Sequence, residues 1–308
     1  MLSARRTDAV LLLVALVWGS SYLAAKTATD ALPVLVVLFA RYAISAIACL
    51  VLVTAQNQGR YTRDEVRVGS LLGVTQAAVL VLETYGVAHT SAANAGLIIS
   101  LTIVLTPLLD RTAGNGALPP RFFSATGVCL LAVTLLMSGS GFHAPRAGDL
   151  LMLAAAVVRA AHVALVGRAT KGRVVRPLPL TTIQTVVGSV LFLVPAAHGL
   201  DDLTRIDAGS WGRLVYLALF CSVFAFLAQT WAVQNSSASR ASLLLGTEPV
   251  WAVLTGILLG GEKLTTLAAL GAALLVTGTY WGQSIERTHR GSTIPQGVAG
   301  RAEAPTGA

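Results

Sequence analysis

Long, uninterrupted runs of apolar residues constrain the fold of this chain more than any other feature. A helix needs about 20 apolar residues to cross the hydrocarbon core of a bilayer. Ten runs of this kind follow one another, separated by short segments that contain Gly, Pro, Asn or Asp. We place the spans at residues 8–28, 33–54, 67–87, 92–110, 121–140, 147–168, 178–198, 211–232, 238–260 and 264–284. The chain is therefore predicted to be an all-α integral membrane protein with ten transmembrane helices.

The composition favours a protein in a lipid bilayer over a soluble one. Of the 308 residues, 55% are hydrophobic and only 12% are charged, whereas a soluble domain carries about 25% charged residues. The net charge of +8 does not indicate nucleic-acid binding, because the basic residues lie between the apolar runs, where they act as topology signals. The basic N-terminal segment lacks a small-residue cleavage site after it, which predicts a retained first span rather than a signal peptide.

The distribution of basic residues predicts the orientation. Fifteen of the 22 Lys and Arg residues fall on the same side as the N terminus, five fall on the other side, and Arg41 and Arg159 lie within spans. Cytoplasmic loops carry the excess of Lys and Arg in membrane proteins. With an even number of spans, both termini are expected in the cytoplasm, and the chain is expected in the inner or plasma membrane.

An internal repeat divides the apolar runs into two sets. Residues 85–95 align with residues 231–241 at a separation of 146, with Val, Ser and two Ala residues in register. Pro33 and Pro179 open the second and seventh spans at the same separation. The chain is therefore interpreted as two similar five-helix halves.

An odd number of helices in each half forces the two copies into opposite orientations. Asp8 and Asp149 open the first span of each half, at a separation of 141. We predict a first repeat over residues 1–144, a second over 145–287 and a disordered cytoplasmic tail over 288–308. Inverted repeats of this kind are typical of transporters, with a binding site near the midplane where the repeats meet.

Several short motifs follow one another over about residues 8 to 284. They are Trp18-Gly19-Ser20-Ser21, Phe39-Ala40-Arg41-Tyr42, Thr90-Ser91-Ala92-Ala93-Asn94-Ala95, Glu248-Pro249-Val250-Trp251-Ala252, Gly261-Glu262-Lys263-Leu264 and Gly271-Ala272-Ala273-Leu274 with Gly278. In this order they resemble the motifs of EamA-type proteins of the drug/metabolite transporter (DMT) superfamily. The resemblance implies ten helices, cytoplasmic termini and transport, usually export (efflux), of small metabolites.

Polar residues inside the apolar runs are the candidates for a substrate or ion pathway, because an ionisable group in the hydrocarbon core costs at least ~2.5–3.5 kcal/mol. Gln76 and Glu83 are seven residues apart and share one helix face. In the second repeat Ser222 and Gln229 take the equivalent positions. A polar stripe in both repeats indicates a shared central cavity; hydrogen bonding between helices without a ligand is the alternative.

Glu248 and Pro249 lie near the centre of the ninth span. Proline frees a backbone carbonyl one turn earlier, so a broken helix beside an acid is expected there, suited to a cation, an amine or a proton; a hinge or a structural ion pair is the alternative. Depth alone pairs Arg41 with Glu83 and Arg159 with Glu248. Permanent pairs would keep both acids ionised and argue against proton coupling.

Three aromatic residues complete the predicted site, with a membrane-interface role as the alternative for Tyr85 and Trp231. The predicted pathway residues are Trp18, Ser21, Arg41, Gln76, Glu83, Tyr85, Arg159, Gln229, Trp231, Glu248 and Pro249.

The expected function is secondary-active transport, in the export direction, of a small metabolite such as an amino acid or a related compound, by alternating access. No P-loop, HExxH or GxSxG motif is present and the three cysteines are scattered, so we predict no enzyme, no cofactor and no metal site. An uncoupled channel or facilitator, and a membrane-embedded enzyme acting on a lipid-linked substrate, are the rivals. The expected partners are the small-molecule substrate and the lipid bilayer; proton coupling and a homodimer are left open.

Overall fold

The computed structural model describes residues 2–90, 92–111, 118–138, 147–260 and 265–293, and the regular structure in this part of the chain is helical. Its α-helices are α1 (Leu2–Ala31), α2 (Val34–Ala55), α3 (Arg63–His89), α4 (Ala92–Ile99), α5 (Thr102–Arg111), α6 (Pro120–Ser138), α7 (Ala147–Thr170), α8 (Pro177–Ala196), α9 (Ala208–Ala218), α10 (Ala225–Asn235), α11 (Ala238–Leu245), α12 (Glu248–Gly260) and α13 (Thr266–Thr293). A 3₁₀ segment, Ala197–Thr204, continues α8, and a π-helical segment, Leu219–Phe224, joins α9 to α10.

Six helical stretches of the described chain are long and apolar enough to cross a membrane. They are Arg5–Ala31, Val34–Ala55, Arg63–His89, Ala147–Thr170, Pro177–Thr204 and Ala208–Asn235. They coincide with the predicted spans one, two, three, six, seven and eight. The other four predicted spans fall on shorter helices, on broken helices or on α13. The protein is thus a multi-pass membrane protein, and the count of ten spans stays a prediction.

The fourth and ninth predicted spans are each broken into two short helices. Ser100 and Leu101 separate α4 from α5, and Gly246 and Thr247 separate α11 from α12. The two breaks are 146 residues apart, which is the separation of the sequence repeat. Discontinuous helices at corresponding positions of two repeats are a feature of transporter binding sites.

The two halves of the chain pack face to face. Helix α2 packs on α8 and α9, α3 on α7 and α8, and α1 on α9, α10, α11 and α12. Glycine allows the close approach of α3 to α8, because a Cβ atom on Gly69 would lie 2.8 Å from the Cβ of Ile183, and one on Gly73 would lie 2.9 Å from the Cβ of Val187. The hydrophobic core therefore lies between the halves rather than within each of them.

Two equivalent polar contacts fasten each half to the other. Asp8, near the start of α1, forms an ion pair of 2.5 Å with Arg240 near the start of α11. Asp149, near the start of α7, accepts a hydrogen bond from Thr90, which follows α3. In each case the acid that opens one half contacts the junction after the third span of the other half, as expected for two copies of one structural unit.

The predicted disordered tail is wrong for residues 288–293, because α13 continues to Thr293. Helical hydrogen bonding needs no apolar side chains, and just before these residues Glu286 accepts a hydrogen bond of 2.8 Å from Ser237, which precedes α11. Residues 294–308 and the predicted motif at 261–264 lie outside the described residues.

Candidate functional site

A small polar cavity lies between the two halves. Its volume is about 30 Å³, which has room for one or two water molecules. The lining residues are Trp18, Ser21, Tyr22, Arg41, Gln76, Val79, Leu80, Glu83, Arg159, His162, Phe226, Gln229 and Glu248. They come from α1, α2, α3, α7, α10 and α12, so both halves contribute to the cavity.

Arg159 on α7 is the centre of a buried charge network. Its Nη2 donates to Oε1 of Glu248, and its Nη1 lies 3.3 Å from both Oε2 of Glu248 and Oε1 of Glu83. Tyr22 donates its hydroxyl hydrogen to Oε2 of Glu248 over 3.1 Å. The side chains of Arg159 and Glu248 are only 9% and 4% exposed. The predicted pair between these two residues is therefore present, and Glu83 joins it from α3.

Trp18 on α1 covers the guanidinium group of Arg159. The guanidinium carbon lies 4.4 Å from the centre of the indole ring, a cation–π arrangement. The two residues are 141 positions apart, the same separation as Asp8 and Asp149. Equivalent positions of the two repeats therefore meet at the cavity.

Gly19 lets α1 lie directly against the broken ninth span. A Cβ atom at this position would lie 2.6 Å from the backbone oxygen of Glu248 and 2.7 Å from the Cβ of Trp251. Such distances leave no space for any side chain. The glycine in the Trp18-Gly19-Ser20-Ser21 motif therefore brings the indole and Glu248 to the same wall of the cavity.

The π-helical segment supplies acceptors that hold Arg41. The backbone oxygen of Cys221 accepts from the indole nitrogen of Trp18 at 3.0 Å and from Nη2 of Arg41 at 3.1 Å, and Ser222 Oγ accepts from Nε of Arg41 at 2.7 Å. A π-turn is wider than an α-turn and commonly lies at functional sites.

The predicted ion pair between Arg41 and Glu83 is wrong. The position of a residue within a span gives its depth in the membrane but not the direction in which its side chain points around the helix axis. Helix α2 packs on α8, α9 and the π-helical segment, so Arg41 turns to the second half of the chain, while Glu83 contacts Arg159.

Eight of the predicted pathway residues line the cavity: Trp18, Ser21, Arg41, Gln76, Glu83, Arg159, Gln229 and Glu248. The other three do not. Tyr85 stacks on His89 with ring centres 6.4 Å apart, Trp231 lies under Arg6, and Pro249 is in the first turn of α12, after the break rather than at a kink. The role of the eight in a substrate pathway stays a prediction.

Sequence reasoning missed five lining residues: Tyr22, Val79, Leu80, His162 and Phe226. Each of them is three or four positions from a predicted residue and therefore shares its helix face. His162, for example, follows Arg159 by three residues and contacts Thr75 Oγ1 through Nδ1 at 2.8 Å. Helical spacing around the polar residues was the available signal.

Among the described residues, no group of three or more His, Cys, Asp or Glu side chains is placed to hold a metal ion. The polar groups of the cavity include arginines, carboxylates, amides, two hydroxyl groups and one imidazole. Such groups can bind charged and hydrogen-bonding parts of a small organic molecule.

A sequence model of the EamA-like transporter family matches residues 5–138 and again residues 146–281. The chain belongs to this family. The two matches correspond to the two halves that pack around the cavity. EamA-like proteins are transporters, and this membership indicates a membrane transporter rather than an enzyme.

Proteins with sequences similar to this chain are named as transporters. An "Uncharacterized transporter" of Archaeoglobus fulgidus is 28% identical over 273 residues, which cover 87% of this chain and 83% of that protein. The "Uncharacterized inner membrane transporter YedA" of Escherichia coli (strain K12) is 24% identical over 271 residues, with 85% of each chain covered. A solved crystal structure superposes with a TM-score of 0.73 at 17% identity, over 92% of this EamA-like chain and 99% of the other chain, which shows that the fold is shared.

Proposed function

We propose that this chain is a secondary-active transporter that exports a small metabolite, an amino acid or a related compound, by alternating access. The observation that carries the proposal is the charged cavity between two halves whose fourth and ninth spans are broken at equivalent positions. Half-helix ends beside a site between repeats are what alternating-access carriers use to bind a substrate from either side.

The size of the cavity supports a carrier that changes shape. The cavity has room for one or two water molecules, which is fewer atoms than an amino acid has, so a substrate enters only when helices of the two halves move apart. Movement of one half against the other around a fixed site is the usual form of alternating access. The export direction follows the resemblance to the drug/metabolite transporters.

The test is a counterflow screen with the purified protein in proteoliposomes, over amino acids, nucleosides, amines and vitamins. A carrier preloaded with an unlabelled substrate should transiently accumulate the labelled form, with a rate that saturates. Equilibration without accumulation would identify an uncoupled channel instead. Cells that express the protein and are loaded with the substrate should release it faster than control cells; faster uptake without release contradicts export.

A further inference from the structure

Two arginines line the cavity, but only one of them has carboxylate partners. Arg159 contacts Glu83 and Glu248. Arg41 is 6% exposed and donates to a hydroxyl and a backbone carbonyl, and it forms no ion pair with a described carboxylate. A guanidinium has five N–H donors, and these contacts use two of its nitrogens. The charge of Arg41 is therefore not balanced by its direct neighbours.

The contacts of Arg41 fix its position. Nε and Nη2 are held by consecutive residues of the π-helical segment, Ser222 and Cys221, over 2.7 and 3.1 Å. One turn further along α2, Ser45 donates to the backbone oxygen of Ala218 over 3.0 Å and so ties α2 to the same region. A cation held in this way loses little conformational freedom when it binds an anion, which favours affinity.

Two buried amides that line the same cavity have no hydrogen-bond partner in the described part of the chain. Gln76 is 5% exposed and Gln229 is 3% exposed, both line the cavity, and neither side chain forms a hydrogen bond within the described part of the chain. A polar group that is buried without a hydrogen bond is unfavourable, because it has lost its contacts with water. A ligand with several oxygen or nitrogen atoms would provide the missing partners.

The charges around the cavity balance one another. Arg41 and Arg159 are opposed by Glu83 and Glu248, so a ligand that brings a net charge into this poorly solvated site is disfavoured. A ligand with one positive and one negative group leaves the balance intact. Glu83, 16% exposed and held by a single contact of 3.3 Å, is the acid available to the positive group.

We propose that Arg41, with the amides of Gln76 and Gln229, forms a carboxylate subsite, and that Glu83 faces the ammonium group of a zwitterionic substrate. Arg159 and Glu248 form a fixed pair within the second half. This assignment rests on the proposed transport function and adds to it the residue that determines specificity for the acid group.

The test compares matched ligands on the full-length protein in proteoliposomes. The α-amino acid with the largest counterflow is labelled, and competition is measured with its unlabelled form, its methyl ester (a cation) and its N-acetyl derivative (an anion). The zwitterion should compete at about ten- to a hundredfold lower concentration than either derivative, as expected for the loss of a charge-assisted hydrogen bond. Equal competition by the ester overturns the subsite, and this measurement needs no variant.

The variants assign the preference to Arg41. Arg41→Gln should raise the half-saturating concentration of the zwitterion by about ten- to a hundredfold and leave competition by the ester unchanged or stronger, because the cavity then carries a net negative charge. Arg41→Lys should give a half-saturating concentration between those of the unmodified protein and Arg41→Gln, since lysine keeps the positive charge but lacks the planar guanidinium group that binds a carboxylate with two hydrogen bonds. Arg205→Gln, at a side chain that is 76% exposed, is the control and should behave as the unmodified protein.

The outcomes separate the two proposals. Counterflow of amines but of no carboxylate overturns the subsite and leaves the transport function standing. Unchanged discrimination between acid and ester in Arg41→Gln also overturns the subsite. Absence of counterflow for every compound of the panel contradicts the transport function, and the subsite with it.

Discussion

Arg159 holds together residues that lie far apart in the chain, and its two carboxylates do not contribute equally. Glu248 makes two contacts with the guanidinium and also accepts from Tyr22, whereas Glu83 makes one contact of 3.3 Å. Breaking a buried ion pair by removing one partner costs about 3–5 kcal/mol, because the other charge is left without compensation. The stability of the protein should therefore depend more on Glu248.

The corresponding prediction compares two neutral replacements. Glu248→Gln should destabilise the folded protein by about 3 kcal/mol and Glu83→Gln by about 1 kcal/mol, measured as the loss of apparent melting temperature of the purified protein in detergent. The matched pair controls for the general effect of placing an amide in the cavity. An equal loss in both variants would contradict the unequal roles.

Gly19 is the second residue whose role is fixed by geometry. Gly19→Ala should destabilise the protein by about 1–3 kcal/mol, as expected for overpacking, because its Cβ would lie within 2.7 Å of atoms of Glu248 and Trp251. Gly127→Ala is the control, since nothing lies within 4 Å of that Cβ position. Alanine should stabilise the helix there by up to about 1 kcal/mol. The melting temperatures of both variants are measured in the same detergent. A Gly19→Ala protein as stable as the unmodified protein would contradict the close approach of α1 to α12.

The residues of the site could largely be found from sequence, but only one of the two predicted ion pairs, Arg159 with Glu248, is present. Buried charge and amide groups within apolar runs pointed to Glu83, Arg159 and Glu248, since such groups are costly in a bilayer. The partner of Arg41 depends on the acceptors that a π-turn makes available. Nothing in the local sequence signals that turn, so the expected pair with Glu83 was wrong.

At the level of helices, one ion pair joins the starts of α3 and α8. Arg176, just before α8, contacts Glu65 through Nε at 2.8 Å and through Nη2 at 2.9 Å, and Glu65 also caps α3 through the backbone nitrogen of Thr62. The side chain of Glu65 is 0% exposed and that of Arg176 is 38% exposed. The pair therefore joins the first half to the second at the N-terminal ends of α3 and α8.

Loss of this pair should loosen the packing of α3 on α8. Arg176→Ala should destabilise the protein by about 2 kcal/mol, less than for a fully buried pair because the arginine is partly solvated. Arg173→Ala is the control, because Arg173 lies in the loop after α7, is exposed and donates only to the backbone oxygen of Ala169 at the end of that helix. Its effect should stay within about 0.5 kcal/mol. Similar melting temperatures for the two variants would contradict the role of the pair.

The breaks within helices are the part of the helical structure that the sequence does not predict. The hydrophobic runs gave the position of every long helix, because a bilayer requires about 20 apolar residues. They could not give the interruptions at Ser100–Leu101 and Gly246–Thr247, which leave the composition of the runs unchanged. Pro249 indicated the second interruption but not its position, since the proline lies in the first turn of the helix that follows the break.

For the whole molecule, the orientation in the membrane is the main prediction to test. The loop between α7 and α8 is expected in the cytoplasm, and the segment before α9 on the opposite side. Val174 in the first is 94% exposed, and the side chain of Arg205 in the second is 76% exposed. Both positions can therefore report the side on which they lie.

Labelling of single added cysteines in intact cells measures this orientation. A membrane-impermeant maleimide should label Arg205→Cys directly, and Val174→Cys only after the cells are permeabilised. The unmodified protein is the control and should stay unlabelled, because Cys49, Cys129 and Cys221 are all buried. Direct labelling of Val174→Cys alone would reverse the predicted topology.

The π-helical segment has a consequence for comparing this chain with its relatives. A turn closed between residues five apart holds one residue more than a turn closed between residues four apart, so loss of a single residue from Leu219–Phe224 would restore regular winding. The helix after this segment would present the same faces to its neighbours. The backbone oxygen of Cys221, which now accepts from Trp18 and Arg41, would instead accept from a backbone N–H of the regular helix. The polarity of this cavity can thus change by insertion or deletion, without exchange of any side chain. A relative that has Trp and Arg at the positions of Trp18 and Arg41 but one residue fewer in this segment would lack the acceptor. The length of the segment should therefore be compared before the identity of the residues.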